Sequence, residues 1–144
     1  MDMTVRVERT FELPAEPAQV WTFISDPEKR ARPISVVTDF EKTGPDTATW
    51  YVKLPIPVVD RSIAIETEDV EFDPPHRVEF VGRSKVMRVV GEHELEAIDG
   101  GTRLVTRFTV DGKLPGVERF FKRNMDEELH NVEQALLADL GIEA

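Results

Sequence analysis

Residues 115–144 read PGVERFFKRNMDEELHNVEQALLADLGIEA, and their rhythm decides the fold. Val117, Phe120, Phe121, Met125, Leu129, Val132, Leu136, Leu137 and Leu140 recur at steps of three and four. That spacing predicts an apolar stripe along one side of a long helix. Almost everything upstream reads as strands, and a single long helix closing a strand-rich chain must bury its stripe against the sheet.

Working outward, the chain of 144 residues is long enough for one domain with its own core, expected to span 1–144. It contains no cysteine, which excludes disulfides, thiol catalysis and thiolate metal sites. No basic start is followed by an apolar run, and no stretch approaches the roughly 20 apolar residues of a membrane span. The expectation is a soluble, cytoplasmic protein. Twenty-eight acids against 18 bases give a formal net charge of -10. Such a surface repels phosphate backbones, so nucleic acid is not an expected partner. Excess carboxylate with little lysine is similar to proteins of salt-loving archaea; on that reading the acids report habitat rather than substrate.

From Thr4 to Leu13 apolar Val5, Val7, Phe11 and Leu13 alternate with polar residues, with Arg9 the exception, which predicts a half-buried strand. Pro14 ends it. Ala15–Ser25 carries Val20, Trp21, Phe23 and Ile24 at helical spacing, with Pro17 in the first turn. Asp26-Pro27 breaks this helix, Glu28–Ala31 adds a short second one, and Pro33 closes the helical region. Strands follow over 34–42, 48–54, 59–72, 77–84, 88–98 and 102–111. In the third of these the apolar phase runs Ile63, Ile65 and then switches to Val70, Phe72, which predicts a bulge or sharp bend. Asp99-Gly100-Gly101 is a hairpin turn.

The order of elements and three local motifs resemble the START-like (SRPBCC) superfamily. Pro14, Pro17, Val20 and Trp21 after the opening strand resemble its first strand and helix. Ser25–Glu28 resembles its helix break, and Gly100–Leu104 its last hairpin. The nearest branch is the carbon-monoxide-dehydrogenase G-subunit-like group, within the polyketide cyclase/dehydrase and lipid transport proteins. The resemblance covers essentially the whole chain. It implies an α+β helix-grip fold: a curved antiparallel sheet of about six or seven strands wrapped around a long C-terminal helix, with two short helices after the first strand. Members include lipid carriers, hormone receptors, cyclases and accessory proteins, and they share no catalytic signature.

A curved sheet gripping a helix implies an apolar cavity suited to a hydrophobic small molecule or lipid. Strand phase nominates Val7, Phe11, Trp50, Val52, Ile63, Ile65, Val78, Phe80, Leu95, Leu104 and Phe108 for its wall, with Phe121, Met125 and Leu129 from the helix. Taken singly, each reads first as ordinary core; as a set they can line a cavity and be core at once. Four polar residues fall on the inward phase: Arg9, Thr67, His93 and Thr106. A polar group facing a core needs a partner or a ligand. The plain alternative has Arg9 reaching the sheet edge and His93 bonding a backbone carbonyl. The apolar loop Leu54, Ile56, Val58 is either a portal beside Lys113–Gly116 or a braced turn packed on the helix.

No phosphate loop, dinucleotide fingerprint or nucleophile elbow occurs. His130 and Glu133 share a helix face, but two ligands do not make a metal site, and Asp126, Glu127 and Glu128 read as a solvated face. No cofactor or metal is expected. The leading expectation is non-catalytic binding of a hydrophobic molecule. One alternative is a cyclase or dehydratase using His93, with Arg9 stabilising an oxyanion. The resemblance implies another: an accessory module whose 54–59 loop docks a molybdenum-hydroxylase-like protein partner.

Overall fold

The computed structural model describes residues 4–56, 61–114 and 116–142. Strand β1 (Thr4–Leu13) leads into helices α1 (Pro17–Ile24) and α2 (Pro27–Ala31). Six strands follow: β2 (Val37–Lys42), β3 (Thr47–Val52), β4 (Ile63–Asp73), β5 (Arg77–Arg83), β6 (Met87–Ile98) and β7 (Gly101–Gly112). Helix α3 (Val117–Asp139) closes the fold. The strands form one antiparallel sheet in the order β1-β7-β6-β5-β4-β3-β2. Every neighbour but one follows in sequence; only β1 joins out of turn, pairing with β7 through all ten of its residues, from Thr4↔Asp111 to Leu13↔Thr102. This is the expected helix-grip architecture.

Local chemistry sets the boundaries. Gln19 Oε1 accepts the Glu16 N–H at 3.1 Å at the start of α1, and Pro17 opens the helix, where no N–H is needed. Asp26 accepts the N–H groups of Glu28 (2.9 Å) and Lys29 (3.3 Å), so the break read from Asp26-Pro27 is the N-cap of α2. Gly100 turns the β6–β7 hairpin at φ 81°. Thr102 Oγ1 donates to the Ala15 carbonyl at 2.7 Å and fixes the β1–α1 link to that hairpin.

In β7 every second residue from Thr102 to Gly112 is buried, so one face of the sheet carries the core and the other faces water. The α3 stripe of Val117, Phe121, Met125, Leu129, Val132 and Leu136 packs onto the core face. Burying each large apolar side chain contributes roughly 1.5–3 kcal/mol, so these contacts hold a helix that has no side-chain N-cap. The helix backbone lies against β1, β7 and α1, toward one side of the sheet.

The phase switch in β4 is a register shift between Asp69 and Glu71. Before it, Ile65 and Thr67 are buried and Asp69 is half-buried; beyond it, Phe72 meets Trp21 of α1 with ring centroids 5.3 Å apart. No helix among the described residues is long and apolar enough to cross a membrane.

Candidate functional site

Among the described residues the space between sheet and helix is nearly filled. Trp50, Val52, Met87, Val89, Phe108, Val110, Phe121 and Met125 meet Ile34, Val36 and Val37 around a gap of about 20 Å³. That is room for about one water. The reason is aromatic packing: Trp50 and Phe80 approach to 5.2 Å between centroids, and Phe80 and Phe108 to 5.9 Å. Gly91 makes this possible. A Cβ there would stand 2.1 Å from Phe80 Cε1, so only glycine leaves space for the ring. Larger depressions open to solvent elsewhere. One of about 790 Å³ lies between 14–19 and 97–101, and another of about 390 Å³ lies beside Thr43, Thr47 and Arg83. Neither holds any of the buried charged residues.

Beside the aromatic cluster the core contains a polar one. His93 is 1 % exposed, and its Nδ1 lies 3.0 Å from Thr106 Oγ1, its partner across the β6–β7 ladder. The imidazole lies nearly parallel to Phe80 at 6.5 Å and edge-on to Phe108 at 5.9 Å. Arg30 reaches in from α2. It is 3 % exposed, its Cζ is 5.4 Å from the Phe80 centroid, and its Nη2 bonds Asp69 Oδ1 at 3.0 Å. Among the described residues two buried side-chain atoms have no partner: Arg30 Nη1 and His93 Nε2. Burial first, and the Arg30 charge second, push the His93 pKa from 6.5 down to about 3, so the ring is neutral at ordinary pH. Burial also lowers the Arg30 pKa, against the opposing pull of Asp69.

The anticipated site residues divide into groups. Trp50, Phe108, Phe121 and Met125 line the small gap. Phe11, Ile65, Phe80 and Leu95 are buried core, and Ile63 is half-buried. Thr67 is buried, with its hydroxyl given to the Ala48 carbonyl at 3.0 Å. Arg9 is half-buried in phase with Val7 and Phe11, and it follows the plainer of its two expected readings, its charge leaving the core. Its Nη1 bonds Asp126 Oδ1 at 3.1 Å and its Nη2 lies 3.8 Å from Glu133 Oε1, both on α3. Arg9 belongs to an edge strand, so its long side chain carries its charge out past the core to the helix's acids. Of the expected portal loop the structure describes Leu54 and Ile56. Leu54 is fully buried in the core, and half-buried Ile56 lies toward Gly116, with its Cδ1 3.9 Å from where a Cβ would sit. Val58 lies outside the described residues.

Glu128 corrects the solvated-face reading of α3. It is 2 % exposed and accepts from Ser35 N–H and Ser35 Oγ (each 2.9 Å) and from Asn131 Nδ2 (3.0 Å). It sits three residues after Met125 and four before Val132, which places it on the apolar stripe. It ties α3 to the segment that supplies Ile34 and Val36 to the gap. Arg30 and Asp69 were also missed. Arg30 hides among charged Glu28, Lys29 and Arg32, but Asp69 had a signal. It continues the inward series Ile63, Ile65, Thr67, and an acid there calls for a buried cation. His130 Nδ1 lies 3.6 Å from Glu133, and no group of three metal-ligating side chains occurs among the described residues.

Comparison with known proteins agrees with this architecture. A protein from Deinococcus radiodurans superposes with a TM-score of 0.73 at 16% identity, over 96% of this chain and 99% of that one. The Zhui aromatase/cyclase from a Streptomyces species gives 0.68 at 16% identity, over 93% and 94%. A START superfamily protein from Mycobacterium smegmatis gives 0.69 at 16% identity, over 91% and 93%. At such identities the likeness establishes the fold alone. Among curated proteins none matches the sequence. The family described as polyketide cyclase/dehydrase and lipid transport matches residues 4–136, nearly the whole described chain. The chain therefore belongs to the polyketide cyclase/dehydrase and lipid transport family.

Proposed function

We propose that the protein binds a hydrophobic small molecule between the sheet and α3, without transforming it. One observation carries the reading: among the described residues two nitrogens, Arg30 Nη1 and His93 Nε2, are buried without partners against aromatic rings of the core. Leaving such a group unmet costs about 1–3 kcal/mol, and a ligand's polar end relieves it. Phe108 is the shared wall, lining the gap on one side and contacting His93 on the other.

Binding needs the interior to open, because ligand pockets run to about 300–1,000 Å³. The lean of α3 toward β1 and β7 supports a route on the opposite side. There Met125, a flexible side chain, and the Glu128–Ser35 tie close the gap. The ligand selects a state in which α3 and residues 34–36 separate, and its affinity offsets the loss of that tie.

The cyclase reading is weaker on chemical grounds. A histidine with a pKa near 3 is a poor proton acceptor at neutral pH, because an efficient base titrates near the working pH. The accessory-module reading needs an apolar loop on display, whereas Leu54 is buried and Ile56 lies against the start of α3.

The test uses the apolar probe N-phenyl-1-naphthylamine. Saturable enhancement of its fluorescence at one probe per chain is expected, with loss of binding in Val36→Trp, which fills the gap. Absence of saturable binding, or full binding by the filled variant, would refute the proposal.

A further inference from the structure

The two unpartnered nitrogens have a definite hydrogen-bonding sense. Among the described residues the Thr106 hydroxyl meets no acceptor but His93 Nδ1. If Nδ1 carried the proton and donated to Thr106, the hydroxyl hydrogen would be buried without an acceptor and Nε2 would be left as a bare lone pair. If Thr106 donates to Nδ1, only the Nε2–H remains unmet. The second arrangement leaves one fewer buried group unsatisfied, so it is favoured. Arg30 Nη1 is a donor by chemistry, since guanidinium offers no lone pair. Both open positions are therefore N–H groups.

We propose that the ligand's buried end is an acceptor oxygen, a carboxylate or a carbonyl, held by Arg30 Nη1–H and His93 Nε2–H. This rests on the interior-binding reading and specifies its ligand class. Arg30 is a fixed donor. Its Nη2 is held by Asp69 at 3.0 Å and its plane lies over Phe80, so Nη1 keeps its direction. Asp69 already balances the guanidinium charge, so a neutral ketone suits the site as well as a carboxylate. An ammonium does not, because it brings donors to donors and a cation to a place where Arg30 already opposes protonation of His93. Phe80 lies beside both groups and Phe108 beside His93, so whatever follows the oxygen must be apolar.

Four ten-carbon compounds with one tail distinguish the heads: decanoate, 2-decanone, decane and decylamine, each displacing N-phenyl-1-naphthylamine. Decanoate and 2-decanone should displace it at concentrations about tenfold below decane and decylamine, the value of one good hydrogen bond. His93→Phe should remove that preference. Nitrogen-15 imidazole spectra of the unaltered protein give a second readout that needs no variant: a protonated Nε2, whose signal moves when decanoate is added. Equal affinity for all four compounds would overturn the acceptor-oxygen inference and leave interior binding standing, as would an Nδ1-protonated ring. Displacement by none of them would refute interior binding, and this inference with it.

Discussion

Arg77 and Arg30 lie on opposite faces of the same sheet. On the outer face Arg77 contacts Glu71 (3.1 Å), Glu79 (2.8 Å), Glu92 (3.4 Å) and Glu94, and neighbouring Arg107 binds Glu8, Glu92 and Glu94. On the inner face Arg30 has one carboxylate, Asp69, and a nitrogen left over. Water screens the outer network, so its many contacts contribute little apiece. Inside, the single pair is largely shielded from water, and a missing partner costs more. A count of ion pairs would place the important arginine on the wrong face; what matters is which of them is incomplete where water is excluded.

Breaking the inner pair should have the largest effect. Asp69→Ala strands the Arg30 guanidinium in the core and is expected to cost about 3–5 kcal/mol of folding free energy, measured by urea denaturation. A loss below about 1 kcal/mol would mean that Arg30 escapes to solvent and that the two faces are equivalent. Next comes the ring between the two sites. Gly91→Ala drives a methyl into Phe80, which Trp50, Phe108 and His93 already confine, at a cost of about 1–3 kcal/mol seen as a lowered Tm.

Acid should sharpen the contrast further. The unfolded chain takes up a proton on His93 below pH 6.5, whereas the folded core refuses it until about 3. Folding stability at this residue is therefore complete above 6.5 and falls as pH drops through that window, by up to about 1.4 kcal/mol per pH unit. His93→Phe has no such proton to bind, so the difference in stability between the two proteins should shift toward the variant on acidification. Parallel pH profiles would contradict a neutral buried imidazole. The smallest effect belongs outside: Arg77→Ala should change stability by less than about 1 kcal/mol, and molar salt should shrink even that.

The architecture was legible because its signals are periodic and long. The α3 stripe, the alternation of β1 and β7, the Asp26-Pro27 break and the phase switch in β4 each repeat a local rule over several residues. The inner site was legible only in part. His93 and Thr106 stood out as polar residues on an inward phase. Arg30 did not, because a five-residue helix gives too little periodicity to separate its buried side from its exposed one. Glu128 was misread as one of three consecutive acids, although its place on the stripe marked it as buried. Arg9 went the other way: phase aimed it inward, but phase cannot say how far a long side chain will travel from an edge strand. Nor does phase give volume. Whether Trp50, Phe80 and Phe108 surround a space or occupy it depends on ring angles that no pattern of letters contains.

The register shift at Asp69–Glu71 divides β4 into two modules. Upstream, Ile65 and Thr67 belong to the interior; downstream, Phe72 belongs to Trp21 and α1. Because one extra residue resets the parity, the far half of the strand can be rewritten without disturbing the near half. Conversely, deleting that residue would turn the last positions over as a block. An engineer gains a convenient seam: specificity is edited on one side of it and docking of the first helix on the other.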